Sequence, residues 1–349
     1  MDGAGRAGLS VNTAGTMVSS FDLHTHDDNR GDALRTGGLE IHSSGVTKEG
    51  AEHHFSVMYE DLEIAEVIGR GCSSFVLRAR HIGTDKLLAL KVINMFDKGK
   101  RHQLINEINA LYNASHASVI QFLGAFYREG AVTIVTEYMD GGSLLNVLQQ
   151  VGAIPERVLS SMAYQVLLAL AYLKREKRVH RDIKPSNLLI NGEGIVKVTD
   201  FGVSAGLQSS FAMCGSFVGT FKYMSPERMK SEKYSYSSDI WSLGLVLMEC
   251  ATKDYPYRDE TTAIDLIQTI VDAPAPQLDP SRFSAELCRF VADCLKKRPD
   301  ERTSAQALLG APWINQAVDG GGSEGENVNA DLVSATANVK RWIDFVSSS

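Results

Sequence analysis

The chain has 349 residues, of which 44% are apolar and 22% charged. At about 100–200 residues per domain this suits one bilobed unit or two domains, and it excludes global disorder. With 42 acidic against 35 basic residues the net charge is -7, and an acidic chain without a strong basic run is a poor partner for nucleic acid or an anionic membrane.

No stretch approaches the roughly 18 apolar residues of a membrane span. The opening MDGAGRAGLS lacks the basic-then-apolar plan of a secretory leader, and Asp2 does not fit N-myristoylation. Cys72, Cys214, Cys250, Cys288 and Cys294 form an odd, scattered set with no CxxC spacing, which predicts reduced thiols and a cytoplasmic protein.

Residues 1–58 are rich in Gly, Ser, Thr, Asp and His with no sustained apolar period, and predict a disordered N-terminal tail. Within it His24 and His26 stand beside Asp27 and Asp28. A metal site is one reading, and solvated histidines in a flexible tail are the simpler one. From Leu62 the pattern turns strand-like, with runs at 62–68, 75–79 and 87–93 broken by Gly69, Gly71 and a turn at Gly83-Thr84-Asp85. A helical pattern follows through Leu104, Ile105, Ile108, Leu111 and Tyr112, then strands at 119–126 and 132–137. After Gly141-Gly142 the chain becomes helical with Ser143 as N-cap, and apolar residues recur at helical spacing over 159–173 and 240–250. A mostly β half thus precedes a mostly α half, an α+β chain. Residues 317–330, with Gly320-Gly321-Gly322, predict a flexible linker. Beyond it Leu332, Val339, Trp342, Ile343 and Val346 share one face of a predicted helix in 331–349. That face packs on its own domain or enters a partner's groove.

The chemistry-bearing residues come in four groups. Gly69-Arg70-Gly71-Cys72-Ser73-Ser74-Phe75-Val76 joins two predicted strands. Its two glycines let backbone N–H groups approach a polyphosphate, although a Gly-rich hairpin taken alone is usually only a hairpin, and Ser74 stands where a third glycine completes the fingerprint. Lys91 lies in the apolar run Leu88-Ala89-Leu90-Lys91, where an ammonium needs a partner. Glu107 on the next helix is a candidate. His180-Arg181-Asp182-Ile183-Lys184-Pro185-Ser186-Asn187 follows a helix. Val196-Lys197-Val198 then leads to Asp200-Phe201-Gly202.

In this order and spacing, residues 62–314 resemble the eukaryotic protein kinases. Ser216-Phe217-Val218-Gly219-Thr220, Tyr223-Met224-Ser225-Pro226-Glu227-Arg228 and Tyr138-Met139-Asp140-Gly141-Gly142-Ser143-Leu144 narrow the resemblance to the MAP kinase kinases of the STE group. The resemblance implies a bilobed fold with an N-lobe at 59–138 and a C-lobe at 139–316. It implies ATP and Mg2+ as cofactors. Ile68, the loop from Gly69 to Val76, Ala89, Thr136, Glu137, Met139, Ser143 and Leu189 are then the nucleotide's surroundings, with Thr136 the gatekeeper. Lys91, fixed by Glu107, holds phosphates. Asn187 and Asp200 hold the metal. Asp182 accepts the substrate proton, Lys184 reaches the γ-phosphate, and Thr220 links the activation loop to both. Leu111, Phe122, His180 and Phe201 match a stacked regulatory spine. Asp239 matches the anchor of the catalytic loop, and Glu227 with Arg302 a buried ion pair.

The resemblance further implies a dual-specificity kinase acting on Thr and Tyr of a MAP kinase activation loop, itself activated by an upstream MAP kinase kinase kinase. Ser210 and Ser216, with five residues between them as in plant and protist members, are the expected phosphosites, with Ser209 adjacent to the first. Arg181 before Asp182 suits a kinase that reads such a phosphate. Arg30 and Arg35 ahead of Leu39-Glu40-Ile41 resemble a thin docking peptide, and residues 331–346 occupy the place where relatives dock their upstream kinase. A monomer is expected. The alternatives are a serine/threonine-only STE-group kinase and a pseudokinase scaffold.

Overall fold

The computed structural model describes residues 39–48, 57–71, 74–94, 104, 108–200, 221–232, 234–257, 262–317 and 328–348, and backbone alone at 10–11, 17–18 and 34–36. In one compact unit, residues 1–32, strands β1 (Ser10–Val11) and β2 (Met17–Val18) pair antiparallel. The second unit, residues 33–349, holds everything else.

Its upper part is a five-stranded antiparallel sheet of β6 (Leu62–Arg70), β7 (Ser74–His81), β8 (Leu87–Asn94), β9 (Phe122–Arg128) and β10 (Ala131–Glu137), in the order β6-β7-β8-β10-β9. Successive side chains on a strand point to opposite faces. So Phe126 and Val135 join Leu62, Leu77, Leu88 and Leu90 in one cluster, while their neighbours Ala125 and Ile134 join the main core on the other face. The predicted turn at Gly83–Asp85 closes β7 to β8, with Asp85 at φ 56 and its N–H donating to His81 O at 2.8 Å.

Below the sheet the chain is helical. Helix α1 (Leu144–Val151) starts at Ser143, whose Oγ accepts the Asn146 N–H at 3.2 Å. Helix α2 (Glu156–Arg175) is buried around nearly its whole circumference. Such a helix forms the centre of a large core rather than an amphipathic surface. The short hairpin of β11 (Leu188–Ile190) and β12 (Val196–Val198) lies against it. Then come α3 (Pro226–Met229), α4 (Tyr236–Thr252), α5 (Ala263–Asp272), α6 (Ala285–Cys294), α7 (Ala305–Leu308) and α8 (Val328–Ser347). Helix α8 packs on α2, and Ala335 and Val339 are fully buried there. Among the described residues no helix is long and apolar enough to cross a membrane.

The N-terminal segment departs from the expectation of a tail extending to residue 58. Strands β3 (Leu34–Thr36), β4 (Leu39–His42) and β5 (Gly45–Lys48) form an antiparallel sheet packed on β9. Leu39, Ile41 and Val46 have 0% exposure and belong to the main core cluster. Each strand is too short and too sparsely apolar to register as a period. It is stabilised by the face it covers on another element. The same burial removes Leu39-Glu40-Ile41 as an exposed docking peptide.

Candidate active site

Helix α4 carries Asp239 into the core, 3% exposed. Its Oδ2 accepts the N–H of His180 and its Oδ1 the N–H of Arg181, each at 2.8 Å. Burial pushes its carboxyl above the ordinary aspartate value. Arg181 has φ 74, a left-handed conformation that costs a non-glycine residue about 1–3 kcal/mol. The two bonds from Asp239 offset that cost and set the path of the loop. Asp182 N–H donates to His180 Nδ1 at 3.1 Å, so the ring proton sits on Nε2 and donates to Thr199 O at 2.9 Å. The histidine thereby ties the loop to the strand end before Asp200.

The loop gathers three polar side chains. Lys184 Nζ lies 2.7 Å from Asp182 Oδ2, and Asn187 Nδ2 donates to the same oxygen at 2.9 Å and to Asp182 O at 2.8 Å. With its amide N–H groups turned to Asp182, Asn187 directs Oδ1 away, where Ser186 Oγ makes a long contact at 3.4 Å. Asn187 and Asp200 stand at the two open ends of the β11–β12 hairpin, and Thr199 N–H donates to Asn187 O at 3.0 Å to close its base. Asp200 has φ 61 and takes Lys91 Nζ at 2.6 Å. Burial pushes its carboxyl up, but Lys91 and then Lys184 outweigh this and hold it below the ordinary aspartate value. A carboxylate kept ionised and an amide oxygen are hard donors that fit a magnesium ion, which commonly keeps several waters and needs few protein ligands.

Around this centre, β8 pairs Lys91 with Val76 on β7 and with Ile134 on β10, and pairs Ala89 with Thr136. Gly71 N–H donates to Ser74 O at 2.8 Å, and Ile68 is exposed. At the link between the halves Glu137 N–H donates to Gln121 O at 3.1 Å and Met139 O accepts the Gly142 N–H at 3.1 Å. Ser143 bridges to Leu189 on β11. Leu111, Phe122 and His180 are buried in the core. Cys72, Ser73, Glu107, Phe201, Ser209, Ser210, Cys214, Ser216 and Thr220 lie outside the described residues.

Lower down, Arg302 grips Glu227 with two bonds, at 2.7 and 2.6 Å, in a pair whose side chains are 0% and 3% exposed. Burial pushes the Glu227 carboxyl up, but Arg302 outweighs it and the carboxyl lies below its ordinary value.

Two further arrangements lie outside the sequence motifs. Lys197 Nζ meets Glu137 Oε1 at 2.6 Å. Like Lys91, Lys197 is an ammonium in an apolar strand, Val196-Lys197-Val198, where it needs a partner. The Tyr234 ring lies beneath two guanidinium groups, Arg228 at 4.3 Å and Arg181 at 5.8 Å, and its hydroxyl reaches Asp239 Oδ1 at 3.4 Å. No sequence signal marks that cluster.

The protein kinase domain family matches residues 62–314. Mitogen-activated protein kinase kinase 3 of Arabidopsis thaliana is 47% identical over 281 residues, which are 79% of this chain and 53% of that protein. Mitogen-activated protein kinase kinase SIPKK of Nicotiana tabacum is 45% identical over 74% of this chain and 75% of its own. Dual specificity mitogen-activated protein kinase kinase dSOR1 of Drosophila melanogaster is 40% identical over 74% and 72%. The chain thus spans about half the length of the first relative and about three quarters of the other two.

Proposed function

This chain belongs to the MAP kinase kinases of the protein kinase family, and on that premise we propose that it transfers the γ-phosphoryl group of ATP to a Thr and a Tyr in the activation loop of a MAP kinase. The observation that carries the reading is the Asp182 carboxylate held 2.7 Å from Lys184 Nζ and 2.9 Å from Asn187 Nδ2. Phosphoryl transfer has a loose anionic transition state, so positioning and charge do most of the work.

Asp182 orients the substrate hydroxyl and accepts its proton. Lys184 stands beside it as the cation for the transferring group, with Thr220 linking the activation loop to both. Asn187 and Asp200 hold Mg2+, which neutralises phosphate charge when bound. Lys91, positioned by Glu107, holds the α- and β-phosphates. Ile68, the Gly69–Val76 loop, Ala89, Thr136, Glu137, Met139, Ser143 and Leu189 surround the nucleotide. An upstream MAP kinase kinase kinase docks on 331–349 and phosphorylates Ser210 and Ser216. Arg181 receives that phosphate, since a guanidinium pairs with phosphate oxygens in a charge-assisted geometry. The protein acts as a monomer in the cytoplasm.

The test is phosphorylation of a panel of purified MAP kinases with mass-spectrometric mapping of their activation loops. Phosphothreonine together with phosphotyrosine is expected. Phosphothreonine alone would defeat dual specificity in favour of a serine/threonine-only kinase. No transfer by a chain that still binds ATP would leave a scaffold.

A further inference from the structure

We propose that Gly194 is a positioning residue for the transfer: it seats helix α8 on the tip of the β11–β12 hairpin and so holds Asn187 and Asp200 at their spacing. The inference rests on the reading of these two residues as the metal pair.

Strand β11 begins directly after Asn187, and β12 ends two residues before Asp200. At the opposite end of the hairpin the turn is closed by Gly194 N–H donating to Asn191 O at 2.9 Å and Ile195 N–H donating to Asn191 Oδ1 at 2.9 Å. Gly194 has φ +80, and a Cβ built there would lie 2.3 Å from Thr336 O and 2.5 Å from Lys340 N. Those two atoms belong to one i, i+4 rung of α8. The bare α-carbon therefore lies against the backbone of α8, and a methyl group would enter the rung itself.

The other side of the tip is equally confined. Gln165 on α2, 0% exposed, donates from Nε2 to Gly194 O at 3.1 Å and accepts the Val196 N–H at 2.8 Å. Lys340 of α8 reaches Glu193 at 2.9 Å. Helix α8 is itself anchored by buried Ala335 and Val339 and by Asn338 Nδ2 donating to Ala317 O at 2.9 Å. A tip held between a buried glutamine and a helix backbone transmits displacement of α8 along two short strands to the ends that carry Asn187 and Asp200.

The experiment uses the full chain carrying Gly194→Ala, with Gly130→Ala as control. Gly130 has φ +77 with nothing within 4 Å of an added Cβ, so it reports left-handed strain without a neighbour. Amide hydrogen exchange is measured over 188–198 and 328–348. Binding of a fluorescent ATP analogue is titrated with Mg2+ in the absence of any protein substrate. Gly194→Ala is expected to speed exchange in both segments about tenfold and to raise the Mg2+ concentration for half-maximal binding about threefold, while Gly130→Ala does neither. Lys340→Glu, a surface change, gives the same shifts in weaker form, and adding Glu193→Lys reverses them; this pair carries the test if Gly194→Ala does not fold. Loosening of α8 with an unchanged Mg2+ requirement overturns the inference, as does undisturbed exchange in α8. A wild-type chain that binds nucleotide without regard to Mg2+ instead overturns the metal-pair reading, while the exchange arm still measures the link between α8 and the hairpin.

Discussion

Lys197 on β12 and Glu137 at the end of β10 meet at 2.6 Å with side chains 12% and 24% exposed. The Glu137 carboxylate also accepts the Gln121 N–H at 2.7 Å. One side-chain contact thereby joins the upper sheet, the link between the halves and the strand that runs to Asp200. Beside it, Val198 N–H donates to Ser118 O at 2.9 Å and Ile120 N–H to Val198 O at 3.0 Å. The upper and lower parts are thus fastened by backbone and charge together.

Removing either partner of this pair strands a partly buried charge. Lys197→Met and Glu137→Gln are each expected to lower the melting temperature, and the double variant to lose less than their sum. The coupling energy expected from the double-mutant cycle is about 1–2 kcal/mol. A cycle that closes with zero coupling would show that the contact contributes nothing to stability.

Asp182→Asn keeps the side chain's size and an oxygen for Asn187 but cannot accept a proton. Turnover is expected to fall about a hundred- to ten-thousandfold with an unchanged circular dichroism spectrum and ATP affinity within about twofold. Wild-type rates in this variant would remove Asp182 as the base.

His116 stacks on Tyr172 at 4.9 Å, and its Nδ1 accepts the Ser118 N–H at 3.1 Å. Burial, then the charges of Arg175 and Lys197, hold its pKa below the ordinary value of 6.5. The folded state therefore prefers the neutral ring, while the unfolded chain takes up a proton near 6.5. Stability from this group is present above that pH and is lost as pH falls through the folded value. Between about pH 7.5 and 5.5 the wild type should lose more melting temperature than His116→Gln. Parallel curves for the two proteins would exclude His116 as the group responsible.

Ser210→Glu combined with Ser216→Glu is expected to raise basal activity about tenfold, because added negative charge orders an activation loop against Arg181. Adding Arg181→Ala should abolish the gain. No gain in the double variant, together with no phosphate on either serine in cells, would reject this regulation.

Much of the site was legible because phosphoryl transfer asks for particular residue types at particular separations along the chain. Asp182, Lys184 and Asn187 lie within six consecutive residues, so their mutual geometry is almost local and a string of letters carries it. The strands from Leu62 onward were legible for a related reason, since alternation and glycine turns are short-range patterns. Lys91 was legible as a charge in need of a partner. That Asp200 is its described partner depends on residues 109 apart coming together.

What the sequence by itself determined is the kinase family and the β-then-α order of the chain, and it named the candidate site residues. The tertiary structure alone decided the burial of Leu39, Ile41 and Val46 against β9, the Lys197–Glu137 fastening, the two guanidinium groups over Tyr234, and the seat of α8 on Gly194. Each of these joins residues far apart in the chain through surfaces that exist only after folding, and a glycine's missing side chain acquires meaning only when another backbone occupies the space it leaves.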